Sequence, residues 1–267
     1  MTNTDAATRQ ARRRGDLLPQ PLPVSELAQD RLVAGVPVRV FTPKDVRGVY
    51  LHLHGGGFVY GSARLQDDRL ERLGVRCRAA VVSVEYRLAP EHCYPAAPDD
   101  CEAVAIWLAE SAAAEFGTGR IAIGGESAGA NLAVTTLLRL RDRHHFTGFS
   151  AAALLFGCYD LELPTFTETG DSSLTRDELD RLFAQYAGTA PRSNPDLSPV
   201  HADLRDLPEA LFAVGSLDPL LNDSLRMAER WRAAGNATRV AVVDGGPHGL
   251  DVSQYVHSFV ATRLQAL

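Results

Sequence analysis

Ser127 stands between two glycines in the segment Gly125-Glu126-Ser127-Ala128-Gly129. The apolar run from Arg120 to Gly124 before it reads as a buried strand, and Asn131 to Leu138 after it reads as a helix. A serine flanked by small residues at a strand-to-helix corner is a nucleophile elbow. The corner holds the serine in a strained conformation, pushes its hydroxyl into open space and sets the positive end of the helix beneath it. Covalent catalysis by Ser127 is the chemistry that this pattern points to. A free hydroxyl is a weak nucleophile, however, and needs a base within hydrogen-bond reach and an acid to orient that base.

In a sheet of this kind those partners follow in the order serine, acid, histidine. His248, in Asp244-Gly245-Gly246-Pro247-His248-Gly249, follows the last strand pattern and is the expected base. His257 falls inside a helical pattern and reads as a surface or packing residue. Asp218, in Gly215-Ser216-Leu217-Asp218-Pro219-Leu220, is the expected acid, because Pro219 keeps it out of a helical conformation. Asp223 is its rival and is expected to face outward from the next helix or to cap it. Asp244 reads as a turn residue. A fourth component is His54-Gly55-Gly56-Gly57-Phe58, whose glycines let the backbone approach a ligand closely. The amides of Gly56, Gly57 and Ala128 are the expected oxyanion donors, each such donor being worth about 2.7–4 kcal/mol. His54 is expected to brace this loop. A phosphate loop is disfavoured, since no lysine follows the glycines and Phe58-Val59-Tyr60 is apolar.

The elements that would position these residues alternate. Strand patterns run over 36–41, 49–54, 80–86, 121–124, 151–156, 211–214 and 239–243. Helical patterns run over about 64–77, 97–115, 128–142, 222–235 and 252–265. Such alternation predicts an α/β fold, a mostly parallel, doubly wound sheet with helices on both faces. Loops at the carboxyl ends of its strands build the site. Residues 160–200 break the rhythm with a helical stretch over 175–187 and Pro164, Pro191, Pro195 and Pro199. A connection of that length is usually functional, and it reads as a small helical cap over the site. Residues 1–24 read as an N-terminal tail that could complete the cap, and residues 25–267 as the domain that carries the insertion.

Length and composition agree with one α/β domain: 267 residues, 45% of them apolar. The net charge of −6 argues against a nucleic-acid surface. The basic cluster Arg9, Arg12, Arg13 and Arg14 reads as a solvated tail. The first 24 residues lack the apolar core of a secretory signal, and no run approaches the length of a membrane span. The four cysteines show neither a CxxC pair nor metal-site spacing, so free thiols, no metal and a cytoplasmic location are expected.

Five motifs stand in one order: His54 to Phe58, Tyr86-Arg87-Leu88-Ala89-Pro90-Glu91, Gly125 to Gly129, Ser216 to Leu220, and Pro247-His248-Gly249. Together they resemble the hormone-sensitive-lipase-like group of α/β-hydrolases, from about residue 36 to the C-terminus. The resemblance implies an α/β-hydrolase core, hydrolysis of carboxylic esters, a small-molecule substrate and no cofactor. It carries the nucleophile to Ser127, the acid to Asp218, the base to His248 and the oxyanion amides to Gly56, Gly57 and Ala128. Arg87 and Glu91 look like ions that fix a loop, and a homodimer is compatible with the resemblance. The chain departs from the family in Glu126, where aspartate is usual, in Leu250, where phenylalanine is common, and in a short N-terminal region that suggests an open cap. Phe58, Tyr159 and Leu250 are the expected pocket walls, with ordinary core packing as the alternative. An amidase, formamidase or deacetylase could use the same triad. A non-catalytic receptor on the same scaffold would be expected to have lost a triad member.

Overall fold

The computed structural model describes residue 25 and residues 27–169 and 174–265. The tail over residues 1–24, with its arginine cluster, lies outside the described residues. Eight strands form one sheet: β1 (Ala28–Val33), β2 (Val36–Phe41), β3 (Gly48–Leu53), β4 (Ala79–Val84), β5 (Ile121–Glu126), β6 (Phe149–Leu155), β7 (Ala210–Gly215) and β8 (Thr238–Val243). Their order across the sheet is β1-β2-β4-β3-β5-β6-β7-β8. β2 is antiparallel to β1 and to β4, and all other neighbours are parallel.

The eighth strand corrects the sequence reading, which starts the sheet at residue 36. β1 is a largely exposed edge strand with Gln29, Asp30 and Arg31 in succession, so it lacks the apolar alternation that marks a half-buried strand. It joins β2 through Ala34 and Gly35, both at positive φ (49° and 80°), which suits a two-residue hairpin. The inner strands β3, β4, β5 and β7 are buried along their whole lengths. They therefore read as continuous apolar runs, as strands covered on both faces do.

Helices α1 (Asp67–Cys77), α2 (Ala96–Phe116), α3 (Ala128–His144), α4 (Arg176–Ala187), α5 (Leu221–Ala233) and α6 (Ser253–Gln265) supply that cover. Leu70, Leu73 and Cys77 of α1 join Val256, Phe259, Val260 and Leu264 of α6 in the core on one face. The other face is packed by α2, α3 and α5, with Leu108, Leu132 and Trp231 among the fully buried residues. Between β6 and β7 the chain leaves the sheet and carries α4. Thr175 begins this helix by accepting a hydrogen bond from the Glu178 amide (3.3 Å), the first half of a capping box. Asn131 of α3 donates to the carbonyls of Cys158 (2.8 Å) and Leu197 (2.9 Å), and Arg139 pairs with Asp196, so both ends of the excursion are tied to α3.

α1 is anchored by charge. Asp67, at its first position, receives two hydrogen bonds from the Arg39 guanidinium on β2 and one from the Ser25 amide (3.1 Å). The Arg39 and Asp67 side chains are 7% and 1% exposed. Arg39 also meets the exposed Asp30 at 2.7 Å, so removing Asp67 leaves the buried guanidinium with only that solvated partner. Asp67→Ala is expected to lower the unfolding free energy by about 3–5 kcal/mol in urea titrations. The double change Arg39→Met/Asp67→Leu should recover most of that loss. A double variant as unstable as the single one would contradict the charge argument.

Candidate active site

β5 ends at Glu126 and α3 begins at Ala128, so Ser127 occupies the corner itself. Its backbone lies at φ 53° and ψ −117°, a conformation that costs a non-glycine residue about 1–3 kcal/mol. The neighbours make that corner tight. A Cβ on Gly125 or on Gly129 would collide with the carbonyl oxygen of Leu53, the last residue of β3. The two glycines thus let the elbow close onto the strand that leads into the glycine run.

The residues expected to form a triad meet there. Ser127 Oγ lies 3.2 Å from His248 Nε2. His248 Nδ1 lies 2.9 and 3.1 Å from the two carboxylate oxygens of Asp218. An ionised carboxylate can only accept, so Nδ1 carries the proton and Nε2 is left to accept from the serine. Asp218 is buried and also accepts from the Leu220 amide (2.8 Å), which fixes its carboxylate at the end of β7. The ring of Phe156 meets the His248 imidazole edge-on, with centroids 5.1 Å apart.

The three expected oxyanion amides can be located from the carbonyls that precede them, because a trans peptide sets its N–H opposite its C=O. The Gly55 carbonyl accepts from His54 Nδ1 (2.8 Å). That of Gly56 accepts from the Val59 and Tyr60 amides, and that of Ser127 from the Ala130 and Asn131 amides. The N–H groups of Gly56, Gly57 and Ala128 therefore point away from their own turns. Gly56 and Gly57 reach this geometry with φ of 119° and 60°. Tyr86 steadies the loop by donating to the His54 carbonyl (2.6 Å) and stacking on its ring at 4.1 Å. Arg87 grips the carboxylate of Asp100 at 2.8–3.0 Å, as a loop-fixing ion does.

Ser127 and His248 open on a cavity of about 570 Å³. Gly55, Gly56 and Gly57 form its base, and Leu174, Glu178, Leu179 and Leu182 of the cap form one wall. Leu250 lines the cavity as expected. Phe58 and Tyr159 do not, which corrects two of the three expected pocket walls. Phe58 is fully buried and stacks on Tyr186 of α4 at 3.8 Å, while Tyr159 packs edge-on against Phe212 at 6.1 Å. Closeness in sequence to the glycine run or to a strand end does not fix which way a ring points.

Asp223 also departs from expectation. It does not face outward but is buried, and one of its carboxylate oxygens accepts from the amides of Tyr159 (2.5 Å) and Asp160 (3.2 Å). Burial pushes its carboxyl up to about 7 against the opposing effect of those two amides. It braces the turn after β6 and stays out of the triad. Asp244 accepts from Ser216 Oγ (3.3 Å) at an exposed turn, in keeping with its plain reading. Cys77, Cys93, Cys101 and Cys158 are free thiols. Asp160, Glu162 and His201 bring their polar atoms together, but Asp160 already pairs with Arg226 at 2.7 Å.

The cavity is also lined by residues that the sequence reading passed over: Gln66, which ends the short 3-10 turn before α1, Arg69 and Arg72 of α1, and Asp251 and Ser253 after His248. Of these, Arg69 and Arg72 carry a signal in their spacing of three, which puts both on one face of α1. Arg69 reaches Glu126 at 2.8 Å. Glu126 also accepts from His52 Nε2 (3.0 Å), while His52 Nδ1 meets Ser83 Oγ (2.9 Å). Burial opposes ionisation of Glu126, but Arg69 and then His52 outweigh it and hold the carboxyl well below the usual range.

Comparison with known proteins bears on this geometry. A family model described as an alpha/beta hydrolase fold matches residues 50–251. The carboxylesterase NlhH of Mycobacterium tuberculosis is 36% identical over 231 residues, 80% of this chain and 70% of that protein. The esterase LipI of the same organism is 35% identical over 246 residues, 85% of this chain and 75% of that protein. An esterase structure from Pyrobaculum calidifontis superposes with a TM-score of 0.85 at 29% identity, covering 98% of this chain and 93% of that one. An esterase from the bacterial hormone-sensitive lipase family gives 0.85 at 29% identity, over 99% and 91% of the two chains. Among the described residues no helix is long and apolar enough to cross a membrane.

The Glu126 cluster predicts a pH signature. Its carboxyl is depressed in the folded state relative to an unfolded value near about 4.3. Its stabilisation is therefore complete above that value and fades as pH falls through the lower folded value. Urea midpoints measured from pH 7 down to pH 3 should fall less steeply for Glu126→Gln than for the unaltered protein. Parallel acid limbs would show that Glu126 does not contribute.

Proposed function

Because the chain belongs to the α/β-hydrolase fold family, among the hormone-sensitive-lipase-like carboxylesterases, we propose that it cleaves short-chain carboxylic esters through an acyl-enzyme on Ser127. Hydrolysis of carboxylic esters follows from the family. The finer reading rests on one observation, the unbroken chain from Ser127 Oγ through both ring nitrogens of His248 to the carboxylate of Asp218.

The Ser127 oxygen adds to the ester carbonyl carbon as His248 Nε2 takes its proton. The carbonyl electron pair moves onto oxygen, where the Gly56, Gly57 and Ala128 amides receive it. They are fixed before the reaction and need no reorganisation as charge develops. Asp218 keeps the proton on Nδ1 and stabilises the imidazolium. The tetrahedral adduct then expels the alkoxide, which leaves with the proton from Nε2. A water molecule, deprotonated by the same nitrogen, attacks the acyl carbon, and Ser127 regains its proton as the carboxylic acid departs. No cofactor is needed for these steps.

A preference for short acyl chains is supported by the cavity. About 570 Å³ must hold both halves of the ester, and Leu179 and Leu182 close the cap side. The leucine wall also lies against the loop, since a Cβ on Gly57 would meet Leu182 at 2.6 Å.

Ser127→Ala should reduce turnover of p-nitrophenyl butyrate by at least about 10⁴-fold with an unchanged thermal midpoint, and Asp218→Asn by about 10⁴-fold through loss of the correct tautomer. Substantial turnover by Ser127→Ala would remove the serine from the mechanism. Across p-nitrophenyl esters of increasing acyl length, kcat/KM is expected to peak at four carbons or fewer. A maximum at long chains would contradict the short-chain assignment.

A further inference from the structure

Behind the elbow lies a second serine, histidine and acid. His52 of β3 and Ser83 of β4 are paired in register, and Ser83 Oγ lies 2.9 Å from His52 Nδ1. His52 Nε2 lies 3.0 Å from Glu126 Oε2, and Arg69 of α1 reaches the same oxygen at 2.8 Å. Ser83 and His52 are buried and do not line the active-site cavity, so neither meets substrate. The proposed mechanism gives this cluster no part, yet Glu126 is the residue just before Ser127.

The cluster touches the start of the glycine run. A Cβ on Gly55 would lie 3.2 Å from Glu126 Cγ, 2.9 Å from the Glu126 carbonyl oxygen and 3.5 Å from Ser127 Cβ. Gly55 thus rests on the stem of Glu126 and beside the serine. The peptide that joins Gly55 to Gly56 carries the first of the expected oxyanion amides. His54 Nδ1 holds its carbonyl at 2.8 Å, and Glu126 backs its Cα end. Glu126 is itself fixed, because its backbone ends β5 while its carboxylate is tied to β3 and α1. This tie joins the two strands whose ends carry the glycine run and Ser127. It sets the distance between amides and serine from below.

Resting on the proposed serine mechanism, we infer that His52 is a positioning residue for ester hydrolysis: through Glu126 it holds the Gly55–Gly56 peptide where the oxyanion forms. The amides act on the tetrahedral oxyanion rather than on the bound ester. Acylation and deacylation both pass through such an oxyanion. A displaced peptide therefore slows both steps and leaves ground-state binding almost untouched. Because His52 does not line the cavity, its replacement acts on the reaction only through its neighbours.

The test replaces His52 by leucine, which removes the donor to Glu126, and by glutamine, which keeps an N–H of similar reach. With p-nitrophenyl butyrate, His52→Leu is expected to lower kcat by about tenfold or more and to change KM by less than about twofold. Loss of a complete oxyanion donor, at about 10²–10³-fold, is the upper bound. His52→Gln should recover most of that loss. Propyl trifluoromethyl ketone reads the oxyanion directly. Ser127 Oγ adds to its carbonyl carbon, the serine proton passes to His248 Nε2 and the carbonyl electron pair moves onto oxygen. Its Ki should rise in His52→Leu by the same factor as kcat/KM falls. Glu126→Ala, which removes stem and charge together, should show the same parallel changes, and it carries the test if His52→Leu does not fold. An unchanged kcat in His52→Leu, equal losses in the leucine and glutamine variants, or a Ki that does not follow kcat/KM overturns the inference. These outcomes leave the serine mechanism standing while turnover depends on Ser127. Turnover that survives Ser127→Ala, or a ketone that forms no adduct with the unaltered protein, defeats that mechanism instead.

Discussion

At Gly125 and Gly129 the elbow lies so close to the end of β3 that a single methyl group would displace the Leu53 carbonyl. This contact is the constraint on which the rest of the site depends. β3 and β5 are paired in register up to Leu53 and Gly125, so their ends arrive together. The glycine run therefore begins where Ser127 is presented. Three backbone amides from two separate segments can then face one small volume. Larger residues at either glycine would open this gap and separate the amides from the serine, even with every side chain of the triad intact.

The remaining parts reach the same point through sheet order. Asp218 follows β7 and His248 follows β8, and these neighbours continue the parallel series from β5 and β6. Each loop needs to project only a short way beyond its strand. Buried polar contacts set the loops' shapes: Asp223 holds the turn after β6, Tyr86 holds the glycine run, and Glu126 ties the elbow to His52 and Arg69. The cap is fastened separately, through Asn131 and Arg139 of α3. Its leucines can thus lie over Gly57 without disturbing the triad beneath.

Much of this was legible in the sequence, for identifiable reasons. The inner strands are covered on both faces, so each reads as a largely apolar run. The elbow, the glycine run and the histidine loop each carry residue types forced by backbone geometry, as the positive φ values of Ser127, Gly56 and Gly57 make plain. What was hidden follows the opposite pattern. β1 is a largely exposed edge strand without alternation. Phe58 and Tyr159 turn into the core, and only three-dimensional packing decides that direction. Asp223 looked like a surface residue of an amphipathic helix, yet its partners are two backbone amides more than sixty positions away. The α1 wall carried no motif, only a spacing whose meaning depends on where the helix lies.

The central claim is that Ser127 forms a covalent acyl intermediate with His248 as its base. A fluorophosphonate probe tests it most directly, because the probe phosphonylates an activated serine and the adduct can be located by peptide mass spectrometry. The account predicts one adduct per chain, on the peptide carrying Ser127, formed in step with loss of ester hydrolysis and greatly slowed in His248→Ala. Complete inactivation with Ser127 unmodified, or labelling of Ser127 at an undiminished rate in His248→Ala, would contradict it.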